Sequence, residues 1–232
     1  MSQFSYIDIF AGCGGLSLGL HNAGWKGLFA IEKSKDAFET LKYNLIDTTQ
    51  HFGWNEWLPQ TEHDINEVIS KYRSELEKLA GTVTLVVGGP PCQGFSMAGA
   101  RIRQGFIDDP RNYLFKHYFN VVKTVMPKVF VMENVKGIST MQGGKIFEEI
   151  KRIFQDPESL NGKPYRIYHR VINAADFGVP QRRERMIIIG TLIDGVDIDA
   201  LWEKTIKDIK NEYPNYFDEV TVRDAIGNLS MT

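Results

Sequence analysis

The chain has 232 residues, 43% of them hydrophobic and 24% charged, with a formal net charge of -2. That is enough apolar material for one sizeable core, and the charge is too evenly balanced for a disordered tail or a globally basic nucleic-acid binder, so any contact with nucleic acid has to be local. No run approaches the roughly 18 apolar residues of a membrane span, and Cys13 and Cys92 lack the paired spacings of a zinc site or a disulfide scaffold.

The amino-terminal MSQFSYIDIF has no basic region leading into a long apolar one, so a cytosolic chain is expected, or a nuclear one where the host has a nucleus. No metal is expected, and one of the two cysteines is a candidate reactive thiol. Short apolar, β-branched runs predict strands at 6–10, 28–31, 83–87, 129–132, 167–172 and 186–189. Apolar residues at three- and four-residue spacings predict helices over 34–45, 66–79, 113–125, 145–154 and 201–210. This alternation predicts an α/β fold with a largely parallel sheet covered by helices. The runs VTLVVG and KVFVME read as strands buried on both faces. About a dozen residues, Gly178 and Pro180 among them, separate the last two strands. That is too short for a crossover helix, so an antiparallel pair is expected there.

The first strand runs into a glycine-rich turn, YIDIFAGCGGLSLGL, in which Gly12, Gly14 and Gly15 precede an apolar helix. Such a turn lets the backbone approach a ligand, and the helix N-terminus offers free N–H groups. Glu32 follows at the end of the second strand, where an acidic side chain can accept the ribose hydroxyls of an adenosine. The dinucleotide fingerprint is not met, because Ser17 stands where its third glycine belongs. Taken alone, the turn is also a plain strand-to-helix connection and Glu32 a solvated carboxylate.

The third strand ends in VVGGPPCQGFS. Pro90 and Pro91 make a stiff extended platform that presents Cys92 at the carboxyl end of a strand, the edge where open α/β sheets bind ligands. An isolated cysteine is otherwise a small buried hydrophobe. The fourth strand ends in FVMENVKG, which brings Glu133 and Asn134 to the same edge. There a partly buried acid can hold a proton and deliver it to a ring nitrogen. In GVPQRRERMIIIG, Arg182, Arg183 and Arg185 stand just before the last strand, and side-chain alternation turns at least one of them to the ligand edge.

In this order, DIFAGCGGLSLG, GGPPCQGFS, MENVKG and GVPQRRER resemble the successive signature motifs of the DNA (cytosine-5)-methyltransferases, over about residues 6–190. The resemblance implies a Rossmann-like S-adenosylmethionine-dependent methyltransferase fold, with S-adenosylmethionine as cofactor and double-stranded DNA as partner. It implies that Phe10 stacks on the adenine while Gly12, Gly14 and Leu16 cradle the methionine end. Glu32 would take the ribose hydroxyls and Asp64 the adenine amino group, with Ile65 on the ring and Pro90 at the border of the pocket. From the residues alone, Asp64 is also simply a helix cap.

By the same resemblance Cys92 is the nucleophile, Glu133 the acid at cytosine N3, and Arg185 the arginine reaching the base with Arg183 in support. Carbon 5 of cytosine is a poor nucleophile, and thiolate attack at carbon 6 supplies the missing electron density. The target base has to flip out of the duplex for this. Residues 94–112, with Gly99, Gly105, Arg101, Arg103 and Arg111, read as a flexible basic loop closing over DNA, alongside Gln93 and Ser96.

The family's target-recognition region and its later motifs do not follow Gly190. The reading is therefore a catalytic domain over 1–190 and an extension over 191–232 that leads toward a recognition region supplied elsewhere. A split enzyme with a C-terminal partner subunit, a fragment and a remnant all fit, and the intact catalytic positions favour the first two. Alternative readings are an RNA (tRNA) cytosine methyltransferase and a non-catalytic cofactor- or DNA-binding module. Restriction-linked and host-regulatory methylation are both compatible with these motifs.

Overall fold

The computed structural model describes residues 4–91 and 113–229. Six strands, β1 (Ser5–Ile9), β2 (Lys26–Ile31), β3 (Leu85–Gly88), β4 (Val129–Val135), β5 (Arg166–Asn173) and β6 (Glu184–Thr191), form one sheet in the order β2-β1-β3-β4-β6-β5. The first four are parallel, and β6 lies between β4 and β5, antiparallel to both. The short link holding Gly178 and Pro180 thus closes the expected antiparallel pair, through a 3-10 turn at Ala174–Phe177.

The described helices are α1 (Gly15–Asn22), α2 (Lys35–Leu41), α3 (Ile65–Lys71), α4 (Arg73–Lys78), α5 (Tyr113–Val125), α6 (Lys145–Gln155), α7 (Ile198–Glu212) and α8 (Val222–Ile226). None of them is long and apolar enough to cross a membrane. Two depart from the periodicity. The helix expected over 34–45 changes at Lys42 into a π-helical stretch, Lys42–Thr48. The one expected over 66–79 breaks at Tyr72, whose φ of -115° and ψ of 29° leave the helical basin. Val68 before the break and Leu76 after it are each 1% exposed, so both halves bury a side chain in the core.

Register assigns the two faces of the sheet. Tyr6 pairs with Leu85 and Leu85 with Val129, whereas Ile7 pairs with Val86 and Val86 with Phe130. The Tyr6 hydroxyl donates to the Ser17 carbonyl of α1, so Tyr6 and Asp8 look toward α1. Phe130, on the other face, stacks 4.2 Å from Phe154 of α6 and meets Tyr118 of α5 and Tyr165 edge-on. β3 is buried on both faces, as expected, but β4 alternates: Phe130 and Met132 are buried while Val129 and Val131 are only half covered. The expectation that KVFVME is buried on both sides is therefore corrected. β4 is fully covered only on the α5 and α6 side.

Residues after Thr191 form α7, α8 and their connections. Among the described residues α7 contributes no buried side chain. It is held to β5 by polar and aromatic contacts: Arg170 pairs with Glu203 at 2.7 Å, and its guanidinium sits 5.2 Å over the Trp202 ring.

Candidate active site

The carboxyl ends of β1, β2, β3 and β4 and the start of β6 meet at one edge of the sheet: Ile9 pairs with Ile31 and with Gly88, Gly88 with Met132, and Val135 with Arg185. Every described catalytic or cofactor candidate from the sequence lies there or on the loops leaving that edge. Cys92, with Gln93, Ser96, Arg101, Arg103 and Arg111, lies outside the described residues.

The glycine turn takes a left-handed path: Phe10, Gly12 and Gly14 have φ of 59°, 57° and 88°. At Gly14 the reason is also spatial, since a Cβ there would come 2.8 Å from Leu45 and 3.2 Å from Leu41. Gly14 therefore sets both the turn and the close seating of α1. The turn is oriented by Glu32. One carboxylate oxygen accepts the Gly12 N–H at 2.8 Å and the other the Ser34 N–H at 2.7 Å, clamping the ends of β1 and β2 together. Two remaining lone-pair directions face away from these donors and are free to accept hydroxyls. Leu16 and Phe10 are half-buried beside the turn and pack on the core.

The His63 N–H donates to the Glu32 carbonyl at 2.7 Å, which carries the next segment to the same edge. Asp64 follows it and caps α3, accepting from the Asn66 N–H at 2.9 Å, while its second oxygen pairs with Lys33 at 2.8 Å. The hydrogen bond from Lys33 holds the Asp64 carboxyl below its ordinary pKa, so the group is an anion and an acceptor. Ile65 is 5% exposed and serves the core. Capping and ligand binding are compatible, but Lys33 occupies one oxygen.

At the end of β3, Gly89 faces Glu133: a Cβ on Gly89 would approach Glu133 Oε2 to 3.1 Å. Asn134 Nδ2 donates to the Pro90 carbonyl at 3.1 Å, tying the two-proline platform to β4. Pro90 is buried and Pro91 exposed, so the platform is anchored at one ring.

Glu133 and Asn134 were expected just beyond β4. In the structure the strand runs on to Val135, because antiparallel pairing with β6 continues after the pairing with β3 has ended at Met132. Glu133 is an ion-pair member rather than a solitary half-buried acid: Arg185 Nε lies 2.8 Å from its Oε1, with the two side chains 27% and 23% exposed. Arg185 is fixed further by donating to the Glu184 carbonyl at 2.8 Å. Arg183 is exposed on the same side of the chain, its backbone held by Asn173 through the Arg183 N–H at 3.0 Å. Arg182 points elsewhere, toward Glu219 at 3.9 Å.

One buried charge carrier was missed by the motif reading. Asp8, in the centre of β1, is 0% exposed and accepts the Ser17 hydroxyl at 2.6 Å, while Oδ1 has no hydrogen-bond partner. Burial pushes its pKa up to about 7, against the lowering effect of the Ser17 bond. Its signal was the acid inside the apolar run SYIDIF. Nearby, the Tyr6 hydroxyl meets His51 Nε2 at 2.6 Å, and His51 Nδ1 meets His21 Nδ1 at 3.0 Å, which locks β1, the end of α1 and the segment at residue 51 together.

Comparison with known proteins places this geometry in context. The family described as C-5 cytosine-specific DNA methylase matches residues 4–230. Among curated proteins, the Type II methyltransferase M.AquIA of Picosynechococcus is 40% identical over 187 residues, covering 79% of this chain and 70% of that protein. The Type II methyltransferase M1.HphI of Haemophilus parahaemolyticus is 39% identical over 226 residues, covering 97% of this chain and 53% of that protein. This chain thus spans about half the length of M1.HphI and a larger part of M.AquIA. Among solved structures, a protein described as a DNA modification methyltransferase encoded within an E. coli prophage superposes with a TM-score of 0.66 at 29% identity, over 99% of this chain and 56% of that one. The S. pombe Dnmt2 methyltransferase shares the fold, with a TM-score of 0.61 at 21% identity over 87% of this chain and 55% of that one. With its Rossmann-like mixed sheet, its glycine turn and its Glu133–Arg185 edge, this chain belongs to the C-5 cytosine-specific DNA methylase family.

Proposed function

We propose that this chain is the cofactor-binding and catalytic portion of a DNA (cytosine-5)-methyltransferase of the restriction-modification type. The observation that carries the reading is that the Gly12–Glu32 clamp, at the ends of β1 and β2, and the Glu133–Arg185 pair, on β4 and β6, stand on one sheet edge and flank the end of β3. A nucleoside site and a base-binding site are thereby next to each other, as transfer between two bound molecules requires.

The residues fit S-adenosylmethionine. The left-handed turn at Gly12 and Gly14 leaves room for close approach, Glu32 keeps acceptor capacity for ribose hydroxyls, and anionic Asp64 can accept from an amino group. Phe10, Leu16, Ile65 and Pro90 would form the apolar border. When bound, that cofactor supplies an electrophilic methyl group. Cys92 as thiolate would add to carbon 6 of an extruded cytosine, moving the ring electrons to carbon 5. Glu133 would hold N3 by a shared proton, with Arg185 fixing its carboxylate and Arg183 near the base. Loss of the carbon-5 proton and then of the Cys92 sulfur would restore the ring. Gln93, Ser96, Arg101, Arg103 and Arg111 would meet the DNA.

An alignment of 187 residues makes up 70% of M.AquIA, whereas one of 226 residues makes up 53% of M1.HphI, so M.AquIA is itself a short chain. This supports a reading in which the target-recognition region is provided by a C-terminal partner subunit, with residues 191–232 leading toward it.

Transfer of tritiated methyl groups onto DNA and onto tRNA tests the proposal. DNA labelling that rises when a candidate partner is added and a covalent adduct with 5-fluorocytosine DNA, both lost in Cys92→Ser, are expected. Labelling of tRNA alone would replace DNA by RNA as substrate. Absence of any adduct with the partner present would leave a non-catalytic binding module.

A further inference from the structure

At the pole opposite the active-site edge, the amino ends of β1, β3 and β4, the start of β5 and the end of β6 surround a cleft of about 1080 Å³. Its chemistry is divided. Lys128, Lys163 and Arg166 line it, against one acid, Asp194. Phe4, Met126 and Ile193 give it an apolar wall, with Phe4 59% and Ile193 40% exposed, so these side chains offer apolar surface to whatever enters.

Among the described residues neither Lys128 nor Lys163 has an ion pair, whereas Arg166 pairs with Asp194 at 3.5 Å and donates to the Ile193 carbonyl, so the two lysines are the available cations and Arg166 stands fixed at the rim. The walls are preformed. Gly81 N–H donates to the Val125 carbonyl at 2.9 Å, Leu192 N–H to the Lys128 carbonyl at 2.9 Å, and the Tyr165 hydroxyl to the Pro127 carbonyl at 2.8 Å. Three of the lining residues, Gly81, Met126 and Asn161, hold left-handed backbone with φ of 72°, 45° and 54°. Two of these are not glycine, and local strain of that kind concentrates where binding surfaces are built.

We infer that this cleft binds a free nucleoside phosphate, with the phosphates on Lys128, Lys163 and Arg166 and the base against Phe4, Met126 and Ile193. A volume of this size suits a ligand of that class. Two point-charge lysines suit phosphate oxygens, and the Arg166 guanidinium adds positive charge beside them. The cleft lies beyond reach of DNA held at the opposite edge, so the ligand is a separate molecule.

The experiment uses the full chain with 13C-methyl methionine and ADP as probe. The Met126 methyl signal, assigned through Met126→Leu, should shift saturably in the low-millimolar range or below. In the K128E/K163E variant, whose melting temperature reports folding, the dissociation constant should rise at least about tenfold, the loss of roughly 1.4 kcal/mol. Binding of ADP in the adenosine subsite at the other pole would leave Met126 unmoved and so be told apart. No saturable shift of Met126, an unchanged titration in K128E/K163E, or equal binding of adenosine or inorganic phosphate alone would each overturn the inference.

Discussion

Asp8 is a carboxyl group in the middle of a parallel sheet, with one oxygen held by Ser17 and the other without a hydrogen-bond partner. Its pKa is raised from the usual carboxylate range to about 7. In the unfolded chain it ionises near 4, so as pH rises from about 4 to 7 the unfolded chain gives up a proton that the native state keeps, and stability falls until the native carboxyl itself ionises at about 7. Asp8→Asn keeps a partner for the Ser17 hydroxyl and removes the charge. It should raise the melting temperature at pH 8 by several degrees and flatten that part of the stability profile, as differential scanning fluorimetry across pH would show. His51 works in the opposite sense. Burial lowers its pKa to about 4, so stability is complete above its unfolded value of about 6.5 and falls as pH drops toward 4. At the active edge, Glu133→Gln removes the partner of Arg185 and the group assigned to N3. Methyl transfer should drop by about 10²- to 10⁴-fold with an unchanged melting curve within a few degrees; near-normal turnover in a single-turnover assay would remove Glu133 from its assigned place.

The glycine turn shows how an element is determined by neighbours distant in sequence. GCGG reads as a tight turn from residue types alone, but part of the need for Gly14 arises from Leu41 of α2 and Leu45 of the π-helical stretch, which close against it. Gly14→Ala has to combine an unfavourable φ of 88° with a contact at 2.8 Å, and is expected to lose about 2–4 kcal/mol in urea unfolding, together with cofactor affinity in calorimetry. Helical periodicity found α5, α6 and α7 within a few residues. It could not find the break at Tyr72, because a change of two dihedral angles leaves the apolar spacing of either half intact. Nor could it extend β4 to Val135: the apolar run ends before Glu133, and only pairing with β6, fifty residues on, keeps the backbone extended.

For the molecule as a whole, apolar cores pack on both faces of the sheet, and the aromatic layer around Phe130 is one of them. Phe130, fully buried between Tyr118, Phe154 and Tyr165, should lose about 3–5 kcal/mol on change to Ala, a large part of the total for a domain of this kind. Trp202→Ala, on a helix with no buried residue, should change the urea midpoint by less than about 1.5 kcal/mol equivalent. The described part of the candidate site was legible because its chemistry is written in short contiguous motifs: a glycine turn, two prolines after an apolar strand, an acid at the end of the next. The amino-acid sequence by itself determined the α/β class, the antiparallel pair and the residues gathered at the functional edge, since hydrophobic period, link length and proline stiffness are local properties of the chain. Only the tertiary structure decided that Glu133 is matched to Arg185, that Glu32 clamps Gly12, that Asp64 shares its charge with Lys33 and that Asp8 is buried. Each of these depends on which strands lie side by side, and strand order is set by packing across the whole sheet.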